Sequence, residues 1–138
     1  MNPVAAQIFA EDEDLESTRL TQAADATRTW SIAFPDGRSL VIDSAPVALG
    51  RDPIAPASHA TAMAVAVSDP YKSISKTHAV LSVDGGMLWV TDLHSTNGTK
   101  VTNNVGEAMP CPPETPMPVG DGWSVSIGEY TIDVRLGA

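Results

Sequence analysis

The sequence predicts an all-β fold, a β-sandwich, that follows an acidic N-terminal segment. From Thr29 onward, short runs of alternating or β-branched residues are separated by Gly, Pro, Asn and Asp, which is the pattern of an all-β domain. No helical pattern competes with it. In residues 130–136, apolar and polar residues alternate, so one face of this strand is expected to be buried and the other hydrated. Sheets with one apolar face pack together as a sandwich.

Nine segments match the strand pattern: residues 29–34, 38–42, 47–50, 63–67, 78–83, 87–93, 99–102, 123–127 and 130–136. The turns between them contain residues that tolerate a positive φ, namely Asp36-Gly37, Asp84-Gly85-Gly86, Asn97-Gly98, Gly120-Asp121-Gly122 and Gly128-Glu129. Two longer stretches are predicted to be loops: residues 52–62, rich in Ala and Pro, and residues 109–118, which contain five of the eleven prolines.

The composition fits one folded domain and excludes several classes of protein. Of the 138 residues, 43% are hydrophobic and 18% are charged, so the chain can build a packed core. Eight Lys and Arg face seventeen Asp and Glu, and the resulting net charge of −9 disfavours binding to nucleic acid. The single cysteine, Cys111, excludes an internal disulfide and a cysteine-rich zinc site. We therefore expect neither a metal nor a cofactor.

Residues 1–28 differ in composition from residues 29–138, and we place the domain boundary between them. Six acidic residues and two arginines give the first segment a net charge of −4, and its apolar residues show no sustained period. This composition predicts a flexible acidic tail. The tail lacks the basic start of a signal peptide, and no run in the chain approaches the roughly 20 apolar residues of a membrane span. We expect a cytoplasmic protein, or one segment of a longer one.

Three short motifs bring cations, hydroxyl groups and an amide to the ends of predicted strands. They are Gly50-Arg51, Ser75-Lys76-Thr77-His78 and Ser95-Thr96-Asn97-Gly98-Thr99. Residues 29–138 contain only six cations, and four of these lie in the motifs or within three residues of them: Arg51, Lys72, Lys76 and Lys100, the last directly after the Asn-Gly turn motif. The loops of a sandwich gather at its two ends. If folding gathers the three motifs at one end, the resulting positive spot suits a phosphate monoester.

These motifs, in this order, resemble the pattern of the forkhead-associated (FHA) family of phosphothreonine-binding domains, with its Gly-Arg, Ser-x-x-His and Ser/Thr-x-Asn-Gly elements. The resemblance covers roughly residues 30–136 and includes the Asp92-Leu93 pair before the Asn-Gly turn. It implies a sandwich of about eleven strands, of a bacterial FHA type, whose loops at one end bind an extended peptide that contains phosphothreonine.

The resemblance also implies a role for each matching residue of the binding loops. Arg51 would pair with the phosphate group, and Ser75 would donate its hydroxyl to it. Lys76 stands where the family often has Arg, and it would attract the phosphate as a point charge. Thr96 matches a position that contacts the phosphate, and Asn97 matches one that hydrogen-bonds the peptide backbone.

Three further matches are expected to be structural: Gly50 for a close approach, His78 for holding loops together and Gly98 for a turn with positive φ. One feature departs from the family. The 23 residues between Arg51 and Ser75 form a longer spacing than usual, and we expect this insertion to lengthen a loop beside the peptide groove. His59 and His94 are predicted to be ordinary surface residues.

Two other functions are open beside phosphothreonine recognition. The first is a phospho-independent docking or oligomerisation domain of a larger protein. The second is an enzyme, since Ser75 and His78 could suggest nucleophilic catalysis. These two residues lie three positions apart at a strand entry, however, and the sequence contains no nucleophile elbow, P-loop or dinucleotide motif. We therefore predict that the chain is not an enzyme.

The acidic tail contains a candidate ligand of its own. Thr18 and Thr21 lie in an acidic context, and some bacterial FHA proteins have a similar arrangement, with a phosphorylatable threonine outside the domain. Phosphorylated Thr18 could then bind its own domain or a neighbouring molecule. The alternative is a tail that only increases solubility. The expected partners are a protein or peptide containing phosphothreonine and a Ser/Thr protein kinase.

Overall fold

A computed structural model describes residues 29–137, and these form an all-β fold of eleven strands in two sheets. The strands are β1 Thr29–Ala33, β2 Ser39–Ile42, β3 Val47–Gly50, β4 Met63–Ala66, β5 Ala79–Asp84, β6 Met87–Asp92, β7 Thr99–Thr102, β8 Ala108–Pro110, β9 Met117–Val119, β10 Ser124–Ile127 and β11 Tyr130–Gly137. The predicted fold class is therefore confirmed. The predicted tail, with Thr18 and Thr21, lies outside the described residues. Within residues 29–137, no helix has the length and apolar character needed to cross a membrane.

The two sheets have the strand orders β9-β6-β5-β3-β4 and β2-β1-β11-β10-β7-β8. Their facing sides meet in one hydrophobic core, and the strands alternate accordingly. In β11, Tyr130, Ile132 and Val134 are buried, whereas the residues between them are exposed. Fully burying one aliphatic side chain contributes about 1.5–3 kcal/mol. Cys111 is also buried beside this core, and burial raises the pKa of its thiol to about 11, so the thiol stays protonated.

The proline-rich stretch was predicted to be a loop, and this prediction is wrong at both of its ends. Pro110 lies in β8 and Pro118 in β9. Each of these strands is at the edge of its sheet, where one side of the backbone has no neighbouring strand. A proline, which lacks an N–H group, is tolerated there because the missing donor can face away from the ladder.

The Ala/Pro-rich segment 52–62 connects two parallel strands. β3 and β4 pair in parallel, and parallel neighbours require a crossover of about a dozen residues. A single 3₁₀ turn, Ala57–His59, lies within this crossover. His59 contributes to a surface pocket with Ser82 and Trp89, which form a register pair on the side of their sheet opposite the core. The 3₁₀ turn therefore packs beside the sheet, whereas Ile54, near the start of the insertion, donates its N–H to the Thr77 hydroxyl at 3.1 Å. The expectation that the insertion flanks the peptide groove stays a prediction.

Candidate functional site

The end of β3 lies directly against the segment that precedes β5. The Arg51 N–H donates to the Ser75 carbonyl at 3.1 Å, and the His78 N–H donates to the Leu49 carbonyl at 2.8 Å. A Cβ atom on Gly50 would lie 2.0 Å from the Lys76 carbonyl oxygen, so only glycine permits this approach. The first two predicted motifs are thus brought together through their backbones.

The His78 side chain joins this segment to the Asn-Gly turn. It is fully buried, its Nδ1 accepts a hydrogen bond from the Ser75 N–H at 3.0 Å, and its Nε2 donates to the Gly98 carbonyl at 2.8 Å. Burial lowers the pKa of His78, which favours the neutral ring that this pattern requires. Both ring nitrogens are occupied, so the side chain positions loops and has no nitrogen left for a ligand.

The turn between β6 and β7 is built around the buried carboxylate of Asp92. This carboxylate accepts hydrogen bonds from the hydroxyl groups of Ser95 and Thr99, the latter at 2.6 Å, and from the Ser95 N–H at 3.1 Å. The Ser95 hydroxyl in turn accepts the Gly98 N–H at 3.0 Å, and Gly98 has a φ of 83°. These contacts hold the base of the turn against the buried carboxylate, and the tip of the turn stays exposed to solvent.

Two hydrogen bonds connect the tip of this turn to the Ser73–Ser75 segment. The Thr96 N–H donates to the Ser75 hydroxyl oxygen at 3.0 Å, and the Asn97 amide donates to the Ser73 carbonyl at 2.9 Å. The Ser75 oxygen is therefore held in place while its hydrogen is free to donate to a ligand.

The five residues predicted to bind phosphopeptide line one open pocket of about 470 Å³, which we call the phosphate pocket: Arg51, Ser75, Lys76, Thr96 and Asn97. No carboxylate is among its lining residues, although the chain as a whole is acidic. Within residues 29–137, the Arg51 and Lys76 side chains form no ion pair. Cations without internal partners, beside hydroxyl and amide groups, provide the donors that an oxyanion requires.

The other lining residues of the phosphate pocket include Lys72, which the sequence placed near the motifs, and His94, which it did not connect with them. Both have left-handed backbones, with φ of 54° and 57°, which turn their side chains to this side. His94 was predicted to be an ordinary surface residue; its Nε2 lies 3.6 Å from the Glu114 carboxylate. No local sequence signal marks a left-handed residue that is not glycine, but the Asp69-Pro70 pair before Lys72 does indicate a turn.

The described residues do not contain a group of three or more potential metal ligands in suitable positions. The phosphate pocket also lacks a chain of hydrogen bonds that would link an acid, a base and a nucleophile. The His78 Nε2 donates to the Gly98 carbonyl and does not face the pocket as a base. The arrangement suits recognition of a bound anion by direct hydrogen bonds and charge.

A protein-family model described as "FHA domain" matches residues 47–128. Among curated proteins, a chloroplastic zeaxanthin epoxidase from an Oncidium hybrid cultivar is 30% identical over 91 residues. That match covers 62% of this chain and 14% of the enzyme, so the chain spans about one seventh of this relative.

Two solved structures have the same fold. One, from a study titled "Structural and functional analysis of phosphothreonine-dependent FHA domain interactions", matches with a TM-score of 0.54 and 24% identity, covering 80% of this chain and 98% of its own. The other is the FHA domain of human APLF in complex with an XRCC1 bisphospho peptide, with a TM-score of 0.57 and 21% identity, covering 78% and 97%. Plant and human proteins are thus among the relatives, and a bacterial type stays a prediction.

Proposed function

The chain belongs to the FHA domain family, and from this premise we propose that residues 29–138 form a phosphothreonine-dependent protein-interaction module. The observation that carries the proposal is the meeting of Arg51, Ser75 and Asn97, from three separate loops, in one pocket without a carboxylate. One of the two similar structures comes from work on phosphothreonine-dependent FHA domain interactions and the other is a complex with a bisphospho peptide, which supports the same ligand class here.

Phosphothreonine carries about −1.5 to −2 charges at neutral pH and three acceptor oxygens. In the proposed complex, the Arg51 guanidinium pairs with two of these oxygens, and the Ser75 hydroxyl donates to the third. Lys76 adds a point charge, and Thr96 donates from the turn. Unmodified threonine offers neither the charge nor the oxygens, so phosphorylation acts as the switch for binding.

Asn97 has a different role in this proposal. Its amide already donates one hydrogen bond to the Ser73 carbonyl, so its orientation is fixed before a peptide arrives. Its remaining donor and its carbonyl oxygen are available for the backbone of an extended peptide. This contact does not involve a side chain of the peptide, so it positions the peptide beside the phosphate without restricting the peptide sequence.

The ligand class implies a Ser/Thr protein kinase upstream, and a cytoplasmic setting in which such kinases act.

We include the tail in the proposal, with Thr18 or Thr21 as a phosphorylation site that competes for the phosphate pocket. Phosphorylating the full chain at these threonines should then weaken its affinity for an added phosphopeptide, as measured by calorimetry. Unchanged affinity would leave the tail as a solubilising segment.

The central experiment compares wild type with Arg51→Ala. A library of phosphothreonine peptides supplies the best-bound probe, and calorimetry measures its affinity and that of its unphosphorylated form. Removing one partner of a charged hydrogen-bonded pair costs about 2–5 kcal/mol, so we expect a loss of at least about 30-fold. Arg135→Ala, an exposed arginine of β11 outside the phosphate pocket, is the matched control and should bind like wild type.

Three outcomes would contradict the proposal. Retained affinity in Arg51→Ala would remove the phosphate assignment. Equal binding of the phosphorylated and plain peptides would favour the phospho-independent docking domain. Release of inorganic phosphate from the peptide would point to an enzyme.

A further inference from the structure

A second pocket, of about 340 Å³, carries charge opposite to that of the phosphate pocket, and we call it the acidic pocket. Three carboxylates, those of Asp36, Asp69 and Glu129, line it together with the rings of Tyr71 and Tyr130. These groups come from the β1–β2 hairpin, the loop before β5 and the β10–β11 hairpin. The Glu129 N–H donates to the Ser73 hydroxyl at 2.7 Å, which attaches the last of these hairpins to the loop that also lines the phosphate pocket.

A third opening, of about 400 Å³, connects the phosphate pocket with the acidic pocket. It shares Arg51 and Lys72 with the first and Ser68 and Asp69 with the second. The three openings therefore adjoin one another, and we call this row of openings the groove; an extended peptide that leaves the phosphate pocket on this side would follow it to the acidic pocket. Tyr71 and Lys72, which are adjacent in sequence, line the two pockets at either end of this groove.

The carboxylates of the acidic pocket are not equally available to a ligand. Asp36 forms an ion pair with Arg38 at 2.8 Å, which largely compensates its charge. Asp69 accepts two hydrogen bonds from Ser73, chiefly that of the hydroxyl, and these lower the pKa of Asp69 and keep it ionised. The Glu129 carboxylate is exposed and has no ion-pair partner within residues 29–137. Asp69 and Glu129 therefore leave about two negative charges for a ligand.

The two tyrosines of the acidic pocket differ in exposure. Tyr71 is a large aromatic side chain that is 76% exposed. Tyr130 is only 6% exposed, yet its hydroxyl has no hydrogen-bond partner among the described residues. The neighbouring Arg38 guanidinium directs its well-aligned hydrogen bonds to Asp36 and to the Ala66 carbonyl. Burial and the Asp36 charge raise the pKa of Tyr130, and the nearby Arg38 opposes them only in part. A buried polar group without a partner is costly, and such a group in a pocket wall marks a place for a ligand donor.

We propose that the acidic pocket binds a Lys or Arg side chain of the same peptide whose phosphothreonine occupies the phosphate pocket. This inference rests on the proposed function and adds a specificity to it. Asp69 and Glu129 attract the cation, the Tyr71 ring covers its apolar stem and its charge, and the cation supplies N–H donors to the pocket. Because the phosphate pocket repels such a side chain, the two pockets together fix the direction of the peptide in the groove.

The test uses the phosphothreonine peptide selected from the library and a series in which Ala, Lys or Glu is placed at each position on either side of the phosphothreonine. Calorimetry with wild type should reveal one position at which Lys binds about fivefold or more tightly than Ala, and Glu more weakly. The ratio of the Lys and Ala affinities at that position is the measure of the acidic pocket, since it cancels the contribution of the phosphate.

Charge reversal then identifies the residue responsible. Glu129→Lys keeps the backbone contact to Ser73, and it should remove the preference for Lys at that position, because the new positive charge offsets that of Asp69. Tyr71→Ala should reduce the ratio, and Tyr71→Phe should retain it. The matched control is Asp84→Lys, since Asp84 is an exposed carboxylate at the far end of β5, outside the acidic pocket. Its ratio should equal that of wild type.

The results separate this inference from the proposed function. A wild-type domain that binds no phosphopeptide overturns both. Tight phosphopeptide binding without a position that prefers Lys overturns the acidic pocket alone. A preference that survives in Glu129→Lys as well as in the control also overturns it, because the cation would then lie elsewhere.

Discussion

At the scale of single residues, the phosphate pocket depends on two glycines, which have no side chain, as well as on the side chains that line it. Because Gly50 has no Cβ atom, the Lys76 carbonyl can lie in the space that this atom would fill. Gly128 makes the same room for the Ser73 hydroxyl, whose oxygen would lie 2.5 Å from a Cβ atom added to Gly128. Neither glycine touches the ligand in the proposed complex. Gly50 brings the loops that carry Arg51 and Ser75 into contact, and Gly128 brings the β10–β11 hairpin against Ser73 of the same segment.

Gly50→Ala tests this contribution. The added methyl group would displace the segment around Lys76 or break the Arg51–Ser75 backbone hydrogen bond, since the obstructing atom is backbone and cannot rotate away. We expect the free energy of unfolding to fall by about 2 kcal/mol or more, and phosphopeptide affinity to fall with it. Urea titration and calorimetry measure the two effects.

The control for this variant is Gly137→Ala, because a Cβ atom there meets nothing within 4 Å. It should match wild type in both measurements. Wild-type stability in Gly50→Ala would show that the two segments are less tightly packed than their distances indicate.

At the scale of elements, the sequence predicted most strands because each carries its own pattern. The strands at 47–50 and 99–102 have the predicted bounds, and each of the other predicted strands differs by one residue at one or both ends. The two strands that the pattern missed, β8 and β9, contain prolines and lie at sheet edges. Their identity as strands depends on having a neighbour on one side only, which is a property of the sheet and not of the segment.

The crossover between β3 and β4 shows the same limit. Residues 52–62 look like an insertion in a binding loop when only the spacing from Arg51 to Ser75 is considered. The parallel pairing of β3 and β4 instead makes them the crossover between two neighbouring strands. The residue types of Met63–Ala66 do not specify whether this strand pairs parallel or antiparallel with its neighbour, because tertiary contacts set the strand direction.

The two pockets differ in how much of them the sequence could reveal. The phosphate pocket is built from three motifs whose residue types and order are informative, so its five predicted residues could be named from the sequence without the structure. The acidic pocket is assembled from hairpins that lie far apart, with Asp36 near the start of the domain and Glu129 near its end. Each of these residues alone is an ordinary turn carboxylate, and only the folded chain places them together.

At the scale of the whole molecule, charge acts at two ranges. The net charge of −9 repels phosphate polymers at long range, whereas in the proposed complex the phosphate pocket attracts a single phosphate group at contact distance. Salt screens the electrostatic field of the exposed charges within about 8 Å at physiological ionic strength. The balance favours a short ligand that presents its phosphate on a peptide over a nucleic acid that presents many phosphates at once.

His78 couples the stability of this whole structure to pH. Burial lowers its pKa below the ordinary value of 6.5, against smaller opposing effects of the Gly98 carbonyl and the Asp92 charge. In the unfolded chain, the ring takes up a proton near pH 6.5. The unfolded state then binds more protons than the folded state, so the free energy of unfolding falls as the pH drops below about 6.5 toward the lower folded-state pKa. Protonation at Nδ1 would also remove the acceptor for the Ser75 N–H.

We expect urea unfolding between pH 7 and pH 5 to show this loss in wild type, with a slope of at most about 1.4 kcal/mol per pH unit for the one proton. His78→Gln should be less stable at pH 7 and should lack this part of the slope, while His59 and His94 are common to both proteins and cancel. An identical slope in the two proteins would mean that His78 is not the group that titrates. Unfolding is the appropriate measurement because phosphothreonine itself titrates near pH 6, so the affinity for a phosphopeptide would combine both protonation events.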